Sequence, residues 1–169
     1  KTMATKYYLY YVEGEDEKKV VDTLKKDMKL IRPGVSQVFN VVENELTNAR
    51  LMTIKENTTV VLIFDTDTGN TEKVRKNIEL LKKARNVKEI VCITQVKNLE
   101  DEWVRSCDVK KPQELTGSDS LTNYKRALRK ITNLDKKLKE HHFDFQKFWK
   151  KSDPVYEDIK NESDKIRLK

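Results

Sequence analysis

Glycine, proline, cysteine and histidine are all scarce in this chain. Its 169 residues include four glycines, three prolines, two cysteines and two histidines. So few glycines and prolines leave little room for turns, which favours long helices around a modest core. The cysteines form no CxxC pair and have no histidine near them in sequence, so neither a zinc site nor a disulfide framework is indicated.

Long apolar runs are missing as well. No stretch approaches the ~20 apolar residues of a membrane-spanning helix. The basic start at residues 1–6 is not followed by the apolar segment of a signal peptide. We therefore expect a soluble, cytoplasmic protein that makes no use of a membrane.

Charge is what the chain has in excess. Charged residues make up 37% of it, and 35 Lys and Arg against 28 Asp and Glu give a formal charge of +7. An anionic partner such as nucleic acid fits this balance through charge steering and counterion release. A lysine-rich surface without any such partner explains the same numbers, so composition alone leaves both readings open.

Apolar periodicity predicts an alternation of strands and helices. Residues 58–65 form a continuous apolar run of strand length, which is typical of a strand buried on both faces of a parallel sheet. The complete pattern predicts strands over 6–13, 35–43, 58–65 and 87–96, and helices over 15–31, 44–57, 71–85 and 99–107. We expect a three-layer α/β/α sandwich with a mainly parallel four-stranded sheet.

The last third of the chain has no strand pattern. We predict an α/β core over residues 1–117 and a helical extension over residues 118–169 that packs on the core. Apolar residues recur in the extension at helical spacing and then give way to an aromatic group between Phe143 and Trp149, which we expect to fix the extension to the sheet. Residues 153–169 are predicted as a short helix or a frayed tail.

Acidic residues follow three of the predicted strands. Glu13 ends the first strand, Asp65 and Asp67 end the third, and Glu100 follows the fourth. Parallel strands bring their carboxyl ends to one edge of the sheet, where several oxygens can hold Mg²⁺ or Mn²⁺. Asp65 and Asp67 are two residues apart, so in an extended segment both point the same way, and Gly69 allows a sharp turn behind them.

These motifs resemble a known family. "YYVEGEDE", with Glu13, Gly14 and Glu17, resembles the first motif of the Toprim (topoisomerase-primase) domain, and "VVLIFDTDTGN" resembles its Asp-x-Asp motif. The resemblance covers about residues 6–107. Within the family, the chain is most similar to small stand-alone or defence-associated nuclease-like members of the overcoming-lysogenization-defect type.

The resemblance implies a nuclease that hydrolyses phosphodiester bonds of DNA or RNA with Mg²⁺ or Mn²⁺. Glu13 matches the general base or metal-bridging glutamate, and Asp65 and Asp67 match the metal-binding pair. Glu100 is the best match for a later acidic position, with Glu102 behind it. The implied catalytic residues are Glu13, Asp65 and Asp67, and the implied metal ligands are Glu13, Glu17, Asp65, Asp67 and Glu100.

The resemblance also implies partners. Nucleic acid is the expected substrate, a neighbouring ATPase or another subunit of an antiphage defence system is an expected partner, and a dimer is compatible with the family. The chain has no zinc module of the primase kind and no tyrosine at a topoisomerase-like position, which disfavours those two activities.

Two other functions fit parts of the sequence. A Toprim-like domain without catalysis would use its acids to bind nucleic acid or a partner protein. A phosphatase of the haloacid-dehalogenase type would use Asp65 as the phosphoryl-accepting nucleophile and Asp67 as the acid or base, although its motif normally lies near the N-terminus. For Glu17, a place in the first turn of a helix is explained equally well by the helix dipole, and acids are also expected at Glu100 because it opens a helix.

Overall fold

The computed structural model describes residues 6–168 of the chain. Residues 1–5 and 169, which belong to the predicted core and extension, lie outside this range. The strands are β1 (Tyr7–Val12), β2 (Val35–Val38), β3 (Thr58–Asp65) and β4 (Val87–Gln95). The α-helices are α1 (Glu15–Asp22), α2 (Asn48–Met52), α3 (Glu72–Lys83), α4 (Leu99–Ser106), α5 (Gln113–Thr116), α6 (Leu121–Lys130) and α7 (Leu134–Glu140).

The four strands form one parallel sheet in the order β2-β1-β3-β4. β3 is central and its side chains alternate between two hydrophobic cores, as the twofold period of a strand requires. Val61 and Ile63 join the core that includes residues of α1, α4, α6 and α7. Val60 and Leu62 join the core that includes residues of α3. Helices therefore cover both faces of the sheet, and the predicted α/β architecture is confirmed.

Three predicted elements have the wrong bounds. The helix predicted over residues 44–57 is shorter and forms only α2, because the side chain of Thr47 accepts a hydrogen bond from the N–H of Arg50 and starts the helix there. The second strand ends at Val38 instead of residue 43, because the side chain of Asn40 accepts hydrogen bonds from the backbone N–H groups of Val42 and Glu43 and starts a turn. The first helix does not reach Ile31. It continues beyond α1 only as a π-helical turn over Thr23–Asp27.

The extension is packed against the sheet. Its apolar side chains share one hydrophobic core with residues of β1, α1, β3 and β4 and with Leu115 of α5. They are Tyr124, Leu128, Leu134, Leu138, Phe145, Phe148 and Trp149. The aromatic group fixes the extension as predicted: Trp103 and Phe148 stack with their ring centroids 5.1 Å apart. Beyond residue 153 the chain forms short 3₁₀ turns at Pro154–Tyr156 and Ser163–Lys165, and Ile31 pairs with Arg167 in an isolated bridge. This part is anchored, so a frayed tail is the wrong description of it.

Candidate metal centre

The carboxyl ends of β1 and β3 lie side by side where the direction of strand addition reverses. From β1 the chain crosses to β2 on one side, and from β3 it crosses to β4 on the other, which makes this the switch point of the sheet. Glu13 directly follows β1, and Asp65 is the last residue of β3. The backbone N–H of Asp65 donates a hydrogen bond to Oε1 of Glu13 at 2.9 Å. The structure thus brings the two predicted motifs into direct contact.

Glu17 lies in the first turn of α1 and is only 9% exposed. Gly14 precedes the helix in an extended conformation that other residues also adopt, so its φ angle does not require glycine. A Cβ atom at this position would lie 3.3 Å from Oε1 of Glu17. The glycine of the first motif therefore leaves space for the Glu17 carboxyl against the loop.

Asp67 is exposed in the turn that follows β3. The turn is closed by a hydrogen bond from the N–H of Gly69 to the carbonyl of Thr66 at 3.1 Å. Gly69 has a left-handed φ of +67°, which glycine adopts at little cost. Behind the larger effect of burial, the charge of Asp67 raises the pKa of both Glu13 and Asp65. Asp67 therefore faces the same site.

Glu100, the second residue of α4, borders the site from another helix. Burial raises its pKa, Lys125 opposes this, and Asp67 is among the acids that raise it further. Its charge in turn contributes to the raised pKa of Glu17. We refer to the five predicted ligands as the acidic cluster: Glu13, Glu17, Asp65, Asp67 and Glu100.

The acidic cluster lacks compensating positive charge at its centre. Burial, followed by the charge of Asp65, raises the pKa of Glu17 to about 8. Burial also raises the pKa of Asp65, and the charge of Glu13 raises it further. Within residues 6–168, no lysine, arginine or histidine forms an ion pair with Glu13, Glu17 or Asp65.

The donor types of the acidic cluster fit Mg²⁺ or Mn²⁺, since both ions prefer carboxylate oxygens. The positions of the side chains, however, are not those of metal ligands around a common centre. In the described part of the chain, no three His, Cys, Asp or Glu side chains are arranged to hold a metal ion. Ligation would therefore require the carboxyls to lose their protons and to rotate toward a common centre.

Gln95 is a residue of the site that the sequence reasoning missed. It ends β4 opposite Asp65, is 1% exposed, and donates a hydrogen bond from Nε2 to Oδ1 of Asp65 at 2.8 Å. Nε1 of Trp149 donates to Oε1 of Gln95 at 3.1 Å and so fixes the orientation of the amide. The position at the carboxyl end of β4 was a signal that could have identified Gln95.

Glu102 belongs to the packing and not to the acidic cluster. It is fully buried, and its carboxylate accepts hydrogen bonds from the N–H groups of Val96 and Trp149 at 3.1 and 3.0 Å. Arg105 donates a third hydrogen bond at 2.7 Å. Its assignment behind Glu100 as a further acid of the site is therefore replaced by a structural one: Glu102 joins β4, α4 and the extension.

This assignment predicts opposite phenotypes for two nearby glutamates. Glu102→Ala is expected to lower the free energy of unfolding by about 3 kcal/mol, because it leaves buried N–H groups without an acceptor. Glu100→Ala is expected to change it by less than about 1 kcal/mol and to weaken Mn²⁺ binding. Urea unfolding and calorimetric titration measure both quantities. A Glu102→Ala protein as stable as the parent would contradict the structural role.

The C-terminal segment around residues 153–156 packs beside the turn that contains Asp67. The hydroxyl of Tyr156 donates a hydrogen bond to the carbonyl of Asn70 at 3.1 Å, and its ring packs on Phe64 with centroids 5.7 Å apart. Nζ of Lys97, beside the end of β4, pairs with Asp153 at 3.1 Å. No sequence motif predicted these contacts, which depend on how the extension folds back.

Comparisons of the chain with protein-family models, with curated proteins and with solved structures found no match. No helix within residues 6–168 has the length and apolar character needed to cross a membrane.

Proposed function

We propose that this chain is a metal-dependent phosphodiesterase that cleaves nucleic acid with a Toprim-like site. The observation that carries the proposal is the acidic cluster at the switch point, where Glu13 contacts Asp65, Glu17 is buried beside them, and burial without a balancing cation raises the pKa of all three carboxyls. Groups with such raised pKa values are costly to bury and are concentrated at functional sites. A divalent cation supplies the charge that this cluster lacks.

The residues of the cluster have different roles in this proposal. Asp65, Asp67 and Glu17 would hold Mg²⁺ or Mn²⁺ together with Glu13, and Glu100 would complete the set from α4. When bound, such an ion polarises a phosphate oxygen and lowers the pKa of a bound water. Gln95 positions Asp65 through its hydrogen bond at 2.8 Å.

Glu13 is the residue best placed to move a proton. Burial raises the pKa of its carboxyl, which brings proton uptake closer to neutral pH, and its Oε1 is fixed by the N–H of Asp65. A base with these properties can accept a proton from an attacking water. We assign this role to Glu13.

The test is cleavage of labelled DNA and RNA with Mn²⁺ or Mg²⁺ by the parent chain, by Glu13→Gln and by Glu45→Gln. Glu45 is an exposed glutamate outside the acidic cluster and serves as the matched control. Glu13→Gln is expected to lower kcat by at least about 100-fold, the lower end of the range for loss of a general base. Absence of cleavage and of Mn²⁺ binding in the parent would refute the proposal.

The same samples separate the alternatives. A binding module would retain nucleic acid without cleaving it in any metal. A phosphatase of the haloacid-dehalogenase type would use Asp65 as a nucleophile toward a phosphomonoester and would leave the phosphodiester bonds of DNA and RNA intact. The antiphage role and the partner ATPase stay predictions of the resemblance, and the choice between a monomer and a dimer stays open.

A further inference from the structure

Helix α6 of the extension lies against α1, one of the two helices that carry acids of the cluster. Nε of Arg129 donates a hydrogen bond to Oδ1 of Asp16 at 2.7 Å, one residue before Glu17. Nζ of Lys19 donates to the carbonyl of Ile131, which follows α6, at 2.8 Å. The C-terminal half of α6 is thereby fixed beside the start of α1.

The other acid-bearing helix, α4, holds α6 from a second side. Nε1 of Trp103 donates to the hydroxyl of Tyr124 at 2.6 Å, and both side chains are fully buried. Burial raises the pKa of Tyr124, and the charge of Glu100 raises it further, so this part of α6 is within electrostatic range of the cluster. α6 therefore flanks the candidate site in a fixed orientation.

The remaining face of α6 is basic. Its sequence contains Lys125, Arg126, Arg129 and Lys130 and no acidic residue. Arg126 and Lys130 are exposed, and Lys125 is half-buried. Burial raises the pKa of Glu100, and the charge of Lys125 opposes this rise. Among residues 6–168, Arg129 is the one basic residue of α6 that forms an ion pair. Lys125 lies within electrostatic range of Glu100, and Arg126 and Lys130 are exposed on the same helix; none of the three forms an ion pair within residues 6–168.

We propose that this face of α6 binds the phosphate backbone of a polynucleotide on both sides of the bond that the acidic cluster cleaves. The inference rests on the proposed function and assigns the substrate contact to the extension. The basic residues from 125 to 130 rise by about 7.5 Å along the helix, which corresponds to about two nucleotides of a helical strand. The substrate class is therefore a chain of at least two nucleotides, because a mononucleotide cannot reach the whole face.

A nucleic acid explains this arrangement better than an acidic protein. Exposed cations attract an anionic partner, which both a nucleic acid and an acidic protein would be. The proposed reaction requires a phosphodiester at the same place, and this favours the nucleic acid. Phosphate contacts release counterions and give a strong dependence on salt. The same property provides the readout of the test.

The experiment measures binding separately from cleavage. In an Asp65→Asn background, the double variant Lys125→Gln/Arg126→Gln is compared with Lys136→Gln/Lys139→Gln on α7, which loses the same charge elsewhere. Fluorescence anisotropy follows a labelled oligonucleotide of about 20 nucleotides over a range of salt concentrations. Arg129 is left unchanged because its ion pair holds the helix in place. Circular dichroism confirms that both variants are folded.

The α6 variant is expected to bind at least about tenfold more weakly and to lower the slope of log Kd against log salt by one to about two. The α7 control is expected to stay within about twofold of its background. Equal losses in both variants, or no loss in the α6 variant, would overturn the inference. The Asp65→Asn background does not cleave, so this binding pattern would be seen even if the parent chain had no nuclease activity. Failure of the proposed function is therefore recognised separately, in the cleavage assay of the parent chain.

Discussion

An Asp65→Asn variant is expected to be more stable than the parent chain and at the same time unable to use metal. In the metal-free protein at about pH 8, burial and the charge of Glu13 disfavour ionised Asp65, whereas the unfolded chain ionises freely. Asparagine removes this conflict. Its carbonyl can still accept from Gln95, and its amide can donate to Glu13. We expect a gain of about 2 kcal/mol in the free energy of unfolding.

The matched control for this prediction is Asp22→Asn on α1. Although burial opposes it, hydrogen bonds from Lys18 and Lys25 hold the pKa of Asp22 below its ordinary value. Those two pairs have lengths of 2.9 and 3.0 Å. The same chemical change should therefore destabilise the protein at position 22. Urea unfolding measures both effects, and a loss of stability at position 65 would contradict the account of the cluster.

Loss of metal function is the second half of the same prediction. Mn²⁺ is expected to bind Asp65→Asn at least about 100-fold more weakly than the parent chain, since metal ligation needs the anionic carboxylate. Nuclease activity should fall with it. Isothermal titration supplies the affinity. A variant that gained stability and kept the parent's affinity would show that Asp65 is not a ligand.

Stability that falls as pH rises is the second large effect we expect. A carboxyl with a raised pKa in the folded state keeps its proton while the unfolded chain releases it, so stability is lost between the unfolded and the folded pKa. For Glu17 this interval extends from its ordinary value to about 8. Glu13 and Asp65 have shifts of the same sign. We expect the metal-free chain to lose about 3 kcal/mol between about pH 5 and pH 8.

Burial also raises the pKa of Glu100 and Glu102, which add to this loss, whereas the acids with lowered pKa values do not interfere in this interval. Those with lowered pKa values stabilise the fold above their ordinary pKa, and their contribution is lost only in stronger acid. They are Asp22, Asp108, Asp153, Asp158 and Asp164. Denaturant unfolding in a chelator at several pH values measures the slope, and Asp65→Asn should flatten it. Stability that stayed constant or rose from pH 5 to 8 would contradict the raised pKa values.

Metal should reverse this loss. Binding to the folded state alone stabilises it by about 2.7 kcal/mol at a concentration of about 100 times Kd. Because Mn²⁺ competes with protons for the same oxygens, its stabilising effect should be larger at about pH 8 than at about pH 5. Thermal unfolding with and without Mn²⁺ measures the difference. An equal effect at both pH values would place the metal outside the acidic cluster.

Local pattern was sufficient for the strands and most helices. The predicted strand at residues 58–65 coincides with β3, whose apolar residues 60–64 are fully buried between the two layers of helices. It was insufficient at residues 39–43, where Asn40 competes with the strand through its own side chain. It was also insufficient after Asp153, where the 3₁₀ turns are held by distant contacts, such as that of Tyr156 with Asn70.

Some features of the candidate site likewise follow from local sequence pattern, and others depend on the tertiary structure. The sequence determined by itself which carboxylates stand at strand ends, because the change from apolar to acidic residues is a local signal. Only the tertiary structure decided that β1 and β3 are neighbours at the switch point, that Gln95 contacts Asp65, and that Glu102 supports the packing. Strand order, burial and pKa depend on residues far apart in the chain, and no local pattern contains that information.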